Sequence, residues 1–232
     1  MTVRLARATL PLFAAALAVL ASGAPVQAGD GETGPYLGIR AIGAAFAEMS
    51  DVQTTGFGGP TNVENDSDQV AGPAGVIGWR FKNFPLRTEI EGGYRVRFDF
   101  DVRDQAPAST VDYEMNVATA QVLFNAVFEW RNSSSFTPFV GGTVGWVRNT
   151  TDTQRTVLGT QAQVNQEQDQ DNIAWGAMAG VDWRFADNWS AEVAYRFINL
   201  GEVESPNFAT GEQIVAEDYL SHDVLLSVFY RF

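Results

Sequence analysis

Two neighbouring stretches late in the chain, IAWGAMAGVDWRF and WSAEVAYRF, change side-chain character at every step. In the first, Trp175, Ala177, Ala179, Val181, Trp183 and Phe185 share one face, against Gly176, Met178, Gly180, Asp182 and Arg184. In the second, Trp189, Ala191, Val193, Tyr195 and Phe197 oppose Ser190, Glu192, Ala194 and Arg196. A period of two belongs to a β-strand, and Ala186-Asp187-Asn188 between them reads as a tight hairpin turn. LRTEIEGGYRVRFDF and MNVATAQVLFNAVFEW repeat the pattern, and VLLSVFYRF carries it to Phe232. One face is apolar and rich in aromatics, and the other holds most of the charge.

With PYLGIRAIGAAF, AGVIGWRF and FTPFVGGTVGWV the count reaches eight strands. No long apolar run follows residue 28, so a membrane-embedded chain of this kind has to be a closed barrel, the one β-structure that pairs every backbone group inside lipid. Connections near residues 82–85, 131–135 and 186–188 are short, whereas those near 47–70, 102–113, 149–172 and 199–219 are long and polar. That asymmetry is the pattern of bacterial outer-membrane barrels, with the long loops outward and both ends of an even-stranded chain in the periplasm. Trp79, Trp130, Trp146 and Trp189 fall near strand ends, where an interfacial girdle places them. The expected fold is an all-β, eight-stranded antiparallel up-and-down transmembrane β-barrel. A soluble barrel would leave the continuous aromatic face exposed to water.

The first 28 residues read as a cleaved signal peptide: Arg4 and Arg7, an apolar stretch from Leu10 to Ala21, and Val26-Gln27-Ala28 as the small-residue cleavage pattern. The stretch is shorter than the roughly twenty residues a spanning helix needs. Residues 29–232 then form the barrel domain. The signal takes two of the fifteen basic residues and none of the 28 acidic ones, which leaves the barrel strongly acidic. That charge excludes nucleic acid as a partner. A chain with no cysteine and one histidine gives no basis for a thiolate or zinc site, and no cofactor or metal is expected.

GPYLGIRAIGAAF, FTPFVGGTVGW and SHDVLLSVFYRF together resemble the porin-like, opacity and surface-antigen superfamily of small outer-membrane barrels, related in architecture to the transmembrane domain of OmpA. The resemblance implies that Val228, Tyr230 and Phe232 form the signal read by the barrel-assembly machinery. Unlike OmpA, no peptidoglycan-binding domain follows the last strand here, so tethering is not expected. Outer-membrane lipid and lipopolysaccharide are the partners that the location implies.

An eight-stranded barrel is just wide enough for its own inward side chains. Alternation directs Arg40, Arg80, Arg87, Arg95, Arg97, Arg184, Arg196 and Arg231 inward, with Glu89, Glu91, Asp99, Glu129, Asp182, Glu192 and Asp223. Buried charges persist where they are paired, so the expected role is structural or surface-directed, with a lumen closed by ion pairs. The alternative is a narrow porin-like conduit for small polar solutes. Inward Leu123, Val127 and Phe139 are too few to favour a site for apolar ligands. The loops carry Glu48, Asp51, Glu64, Asp66 and Asp68 in the first and Glu202, Glu204, Glu212, Glu217 and Asp218 in the last. They read as a solvated surface, since NVENDSDQ lacks the glycine and glutamate of an EF-hand loop. An enzyme is not expected: Ser221 and Asp223 fall on the face opposite His222, which precludes a local triad.

Overall fold

The structure is a computed structural model that describes residues 33–57, 61–64, 67–105, 110–208 and 211–232. Residues 1–28, the expected signal, lie outside the described residues. Ten strands form one antiparallel sheet: β1 (Gly34–Thr55), β2 (Thr61–Glu64), β3 (Ser67–Arg80), β4 (Leu86–Gln105), β5 (Thr110–Glu129), β6 (Phe136–Val157), β7 (Ala162–Arg184), β8 (Trp189–Asn199), β9 (Val203–Glu204) and β10 (Gln213–Arg231). Eight of them make a closed ring in the order β1-β3-β4-β5-β6-β7-β8-β10, and β10 returns to β1 from Tyr36 opposite Arg231 to Thr55 opposite Gln213. This is the eight-stranded barrel that the alternation specifies.

Its outer face explains why the ring closes. Ile39 is 72% exposed and Ile77 71%, and around them stand Leu37, Ile90, Phe124, Val144 and Val193, a continuous apolar belt. Aromatic side chains bound it, with Trp79, Trp130 and Trp189 at the short-turn end and Tyr94, Trp146 and Trp175 at the other. From Phe136 to Trp146, ten strand steps of about 3.4 Å, tilted by about 40°, rise roughly 26 Å, which matches the apolar band of an outer-membrane barrel.

Beyond that belt the structure departs from expectation. Most of the four segments expected as long loops is strand: β6 and β7 pair without a shift from Phe136–Trp183 up to Val157–Ala162, and β4 and β5 pair up to Gln105–Thr110. Two ladders stop at the distal girdle, however. Above Ala74–Gly93, β3 and β4 share no pair, and above Trp175–Asn199, β7 keeps β6 alone. The barrel therefore opens into two facing sheets, β2-β4-β5-β6-β7 and β3-β1-β10-β9.

The polarity of two strands reverses at the same level. Bulges between Gly43 and Phe46 on β1 and between Arg95 and Phe98 on β4 each insert one residue, and an inserted residue exchanges the faces beyond it. Asp99, expected inward, is accordingly exposed, and Val102 and Asp104 turn inward instead. The space between the sheets fills with Met49, Val70, Val102, Val111, Met115, Val117 and Ile214.

Close strand approach at the β3–β4 seam requires a glycine: a Cβ on Gly72 would lie 1.9 Å from the Tyr94 carbonyl oxygen, whereas one on Gly75 would meet nothing within 4 Å. Gly72→Val should therefore reduce the folded, fast-migrating band of unboiled protein, while Gly75→Val should leave it intact. Equal folding of the two variants would contradict the seam geometry.

Candidate functional site

Inside the belt the ring holds six buried arginines, Arg40, Arg80, Arg87, Arg95, Arg196 and Arg231, with Glu89, Glu91, Glu129, Asp182, Glu192 and Asp223 buried among them. Each comes from an alternate position of a strand whose other face meets the belt. At the short-turn end Arg80 Nε donates to Glu129 Oε2 at 2.9 Å, Arg131 Nε to the same oxygen at 3.0 Å, and Arg231 Nη2 to Asp182 Oδ1 at 2.7 Å. In the middle Arg40 spans the lumen, with Nη2 3.1 Å from Glu89 Oε2 and 3.0 Å from Glu192 Oε1, and its Nη1 bonds Glu91. Arg87 joins Glu192 to Glu89 and stacks 4.7 Å from the Phe139 ring centroid.

Nearer the distal girdle, Arg196 bridges Glu91 at 2.9 Å and Asp223 at 2.9 Å. Arg95 meets both oxygens of Asp223, at 2.8 and 2.6 Å, and donates to Gln121 and Ser221. Neutral groups complete the shell: the Tyr36 hydroxyl donates to Glu89 at 2.8 Å, and the Gln121 amide to Glu91 at 2.7 Å. Charges of both signs, interleaved and multiply hydrogen-bonded, are the arrangement in which burial of ions is sustained.

Of the candidates read from alternation, Arg40, Arg80, Arg87, Glu89, Glu91, Arg95, Glu129, Asp182, Glu192, Arg196, Asp223 and Arg231 are brought together here. Arg184 lies half-buried at the short-turn end, opposite Ser190. The Arg97 side chain lies outside the described residues. Ser221 donates to Asp223 inside the lumen at 2.7 Å, while His222 is on the outer face, 2.6 Å from the Tyr195 hydroxyl. Phe232 is 64% exposed beside Tyr230, ring centroids 5.1 Å apart.

A second buried cluster lies above the charges, and the sequence reading missed it. The chain after β8 turns into the mouth, where Leu200, Val203, Ser205 and Phe208 are buried. Asn149 Nδ2 donates to the Leu200 and Glu202 carbonyls, and Asn172 exchanges two hydrogen bonds with the Glu202 backbone. Phe208 packs edge-on to Tyr113 at 5.7 Å, and Phe57 meets the same ring, tilted, at 5.1 Å. Arg155 clamps Glu212 through two hydrogen bonds of 2.8 and 3.1 Å. Burial pushes the Tyr113 hydroxyl well up from its ordinary pKa, and the shared hydrogen bond with Glu204 raises the Glu202 carboxyl. Left-handed backbone at Gly201, φ 80°, and Gly211, φ 84°, permits the turns that carry this segment in and out. Leu200 and Val203 stand among Gly201, Glu202 and Glu204, too sparse an apolar pattern to signal it in advance.

A closed ring with an apolar belt and a polar interior defines an outer-membrane barrel. Residues 14–232 match the family described as outer membrane protein beta-barrel domain, and the chain belongs to that family. It is 25% identical over 175 residues to the outer membrane protein PagN of Salmonella typhimurium, covering 70% of this chain and 73% of that protein. Among solved structures it is similar to OprG from Pseudomonas aeruginosa, with a TM-score of 0.53, 14% identity and coverage of 88% and 99% of the two chains. The Neisserial surface protein A gives a TM-score of 0.43 at 15% identity, covering 87% and 100%. The protein is thus a lipid-embedded component of the Gram-negative outer membrane.

Glu91 accepts from Arg40, Arg196 and Gln121 together. Glu91→Gln should cost about 3–5 kcal/mol, because it strands buried guanidinium charge. Loss of the exposed Asp171–Arg148 pair in Arg148→Ala should leave the midpoint unmoved. Urea unfolding in detergent micelles, read by tryptophan fluorescence, distinguishes the two.

Proposed function

We propose that the chain is a non-catalytic outer-membrane barrel with a structural or surface-interaction role, and that its lumen is closed. The observation that carries this reading is the stacking of two unlike closures, an ion-pair layer from Arg80 to Asp223 within the membrane and an apolar layer around Phe208 and Tyr113 above it. A solute crossing it would have to part both. Short turns at one end and the long two-sheet extension at the other orient the barrel with the extension outside the cell, in the lipopolysaccharide layer.

Further parts of the reading accompany it. Residues 1–28 are the export signal, removed after Ala28. Exposed Phe232, with Val228 and Tyr230 at alternate positions, is the segment offered to the barrel-assembly machinery. Lipopolysaccharide is the surrounding partner of the outward part, and His222 makes no triad with Ser221 and Asp223, because it lies on the outer face while they are hydrogen-bonded inside the lumen.

Refolded protein in a planar bilayer, with folding checked by the mobility difference between boiled and unboiled samples, should give no conductance steps above the bare membrane. Stable, reproducible steps from folded protein would instead establish a narrow channel for small polar solutes and overturn the closed-lumen reading.

A further inference from the structure

The longest strand in the molecule ends as an open edge. β7 pairs with β8 only from Trp175 to Arg184, and its upper part has β6 as its one strand partner. The hydrogen-bond phase of this edge follows from its neighbours. Arg184 N donates toward β6, to Ser135 O, and Phe185 N toward β8, to Trp189 O. Because the β6–β7 register has no shift, even-numbered residues of β7 bond to β6 and odd-numbered ones turn their N–H and C=O the other way. From Gln163 to Asp171 the odd residues therefore present their backbone groups to a side that no described strand occupies. Among the described residues that side is covered near Asn172, by Gly201 and Glu202 with β9 alongside. The open run is about 27 Å long at strand spacing.

The side chains on this edge are matched to one kind of occupant. Gln163, Asn165, Glu167, Asp169 and Asp171 are all exposed; residues 162–172 contain three carboxylates and no Lys or Arg, and Arg148 on β6 engages Asp171, which leaves Glu167 and Asp169 to an added strand. Across the strand pair Glu167 sits opposite Asp152, a like-charged juxtaposition that concentrates negative charge beside the edge. A second copy laid along the edge would set these same carboxylates against each other, the arrangement by which edge strands avoid self-pairing. An extended segment with Lys or Arg at alternate positions would do the opposite, placing its cations over Glu167 and Asp169 while its backbone completes the ladder.

We propose that the outer edge of β7, from Gln163 to Asp171, is a docking site for an extended basic segment of another protein, bound by strand addition. The inference rests on the surface-interaction reading above and names the chemistry of its partner. Backbone hydrogen bonds supply the register, and the carboxylate row selects charge and steers association.

The test uses folded full-length barrel in micelles and a fluorescent nonapeptide of alternating Lys and Thr, read by anisotropy. The peptide should bind in a saturable, salt-sensitive manner, and a Glu-Thr peptide should not. Asn165→Pro removes an edge-facing N–H while sparing the β6 ladder, and should weaken binding about tenfold. Glu167→Gln with Asp169→Asn should weaken it comparably and flatten the salt dependence. A Lys-Thr peptide N-methylated at alternate residues, with either set methylated in turn, keeps its charge, and one of the two sets should abolish binding to unaltered protein. Binding unaffected by both methylation patterns would mean attraction to acidic surface alone and would overturn strand addition. No binding of the Lys-Thr peptide, or an Asn165→Cys disulfide dimer that forms in its place, would overturn it as well. Conductance is independent of all these readouts, so a leaking barrel and an idle edge are separable failures.

Discussion

In hydrocarbon no backbone N–H or C=O can be left unpaired, and the geometry of this protein follows that rule as far as the lipid extends. Within the belt all eight strands pair around the ring. At the distal aromatic level, marked by Tyr94, Trp146 and Trp175, water returns as a partner and two ladders end, one above Ala74–Gly93 and one above Trp175–Asn199. Glycine, proline and bulges gather at the first of these breaks. Gly72 passes against the Tyr94 carbonyl, Pro73 offers no donor, and the bulges on β1 and β4 reverse the inward face.

The same boundary separates two ways of filling an interior. Inside the membrane the outer face must be apolar, so the inner face can carry charge if every charge finds its opposite. Arg40, Arg87 and Arg196 do this by bridging carboxylates from different strands, which ties the ring across its diameter. Outside the membrane the outer face is wet, and the interior reverts to the apolar core of an ordinary two-sheet protein, with Met49, Val102, Tyr113, Met115 and Phe208 as its contents.

These two regimes explain what the sequence disclosed. In the belt each strand alternates apolar-out against charged-in, and residues such as Val193 beside Glu192 announce both face and partner. Twelve of the fifteen residues directed inward by parity are therefore buried in the lumen. The extension has a weaker code. β7 begins AQVNQEQDQDN, polar on both faces, and reads as a loop because most of its strand character comes from pairing with β6. Val111, Tyr113 and Met115 do alternate, yet within TVDYEM they are flanked by Asp112 and Glu114 and look like a polar connection. Asp99 failed for a different reason: parity carries no information past a bulge, and nothing in RVRFDFDV marks where the extra residue enters.

In the proposed reading the mouth segment and the core beneath it seal the interior from the outside. Because the chain has no cysteine, a single introduced thiol reports access directly. Ala174 faces inward beneath the mouth and is fully buried, whereas Asn165 is exposed on the same strand. With a membrane-impermeant maleimide applied to the folded barrel, the account predicts rapid labelling of Asn165→Cys and protection of Ala174→Cys until the protein is unfolded. Labelling of Ala174→Cys at a rate like that of Asn165→Cys would contradict it.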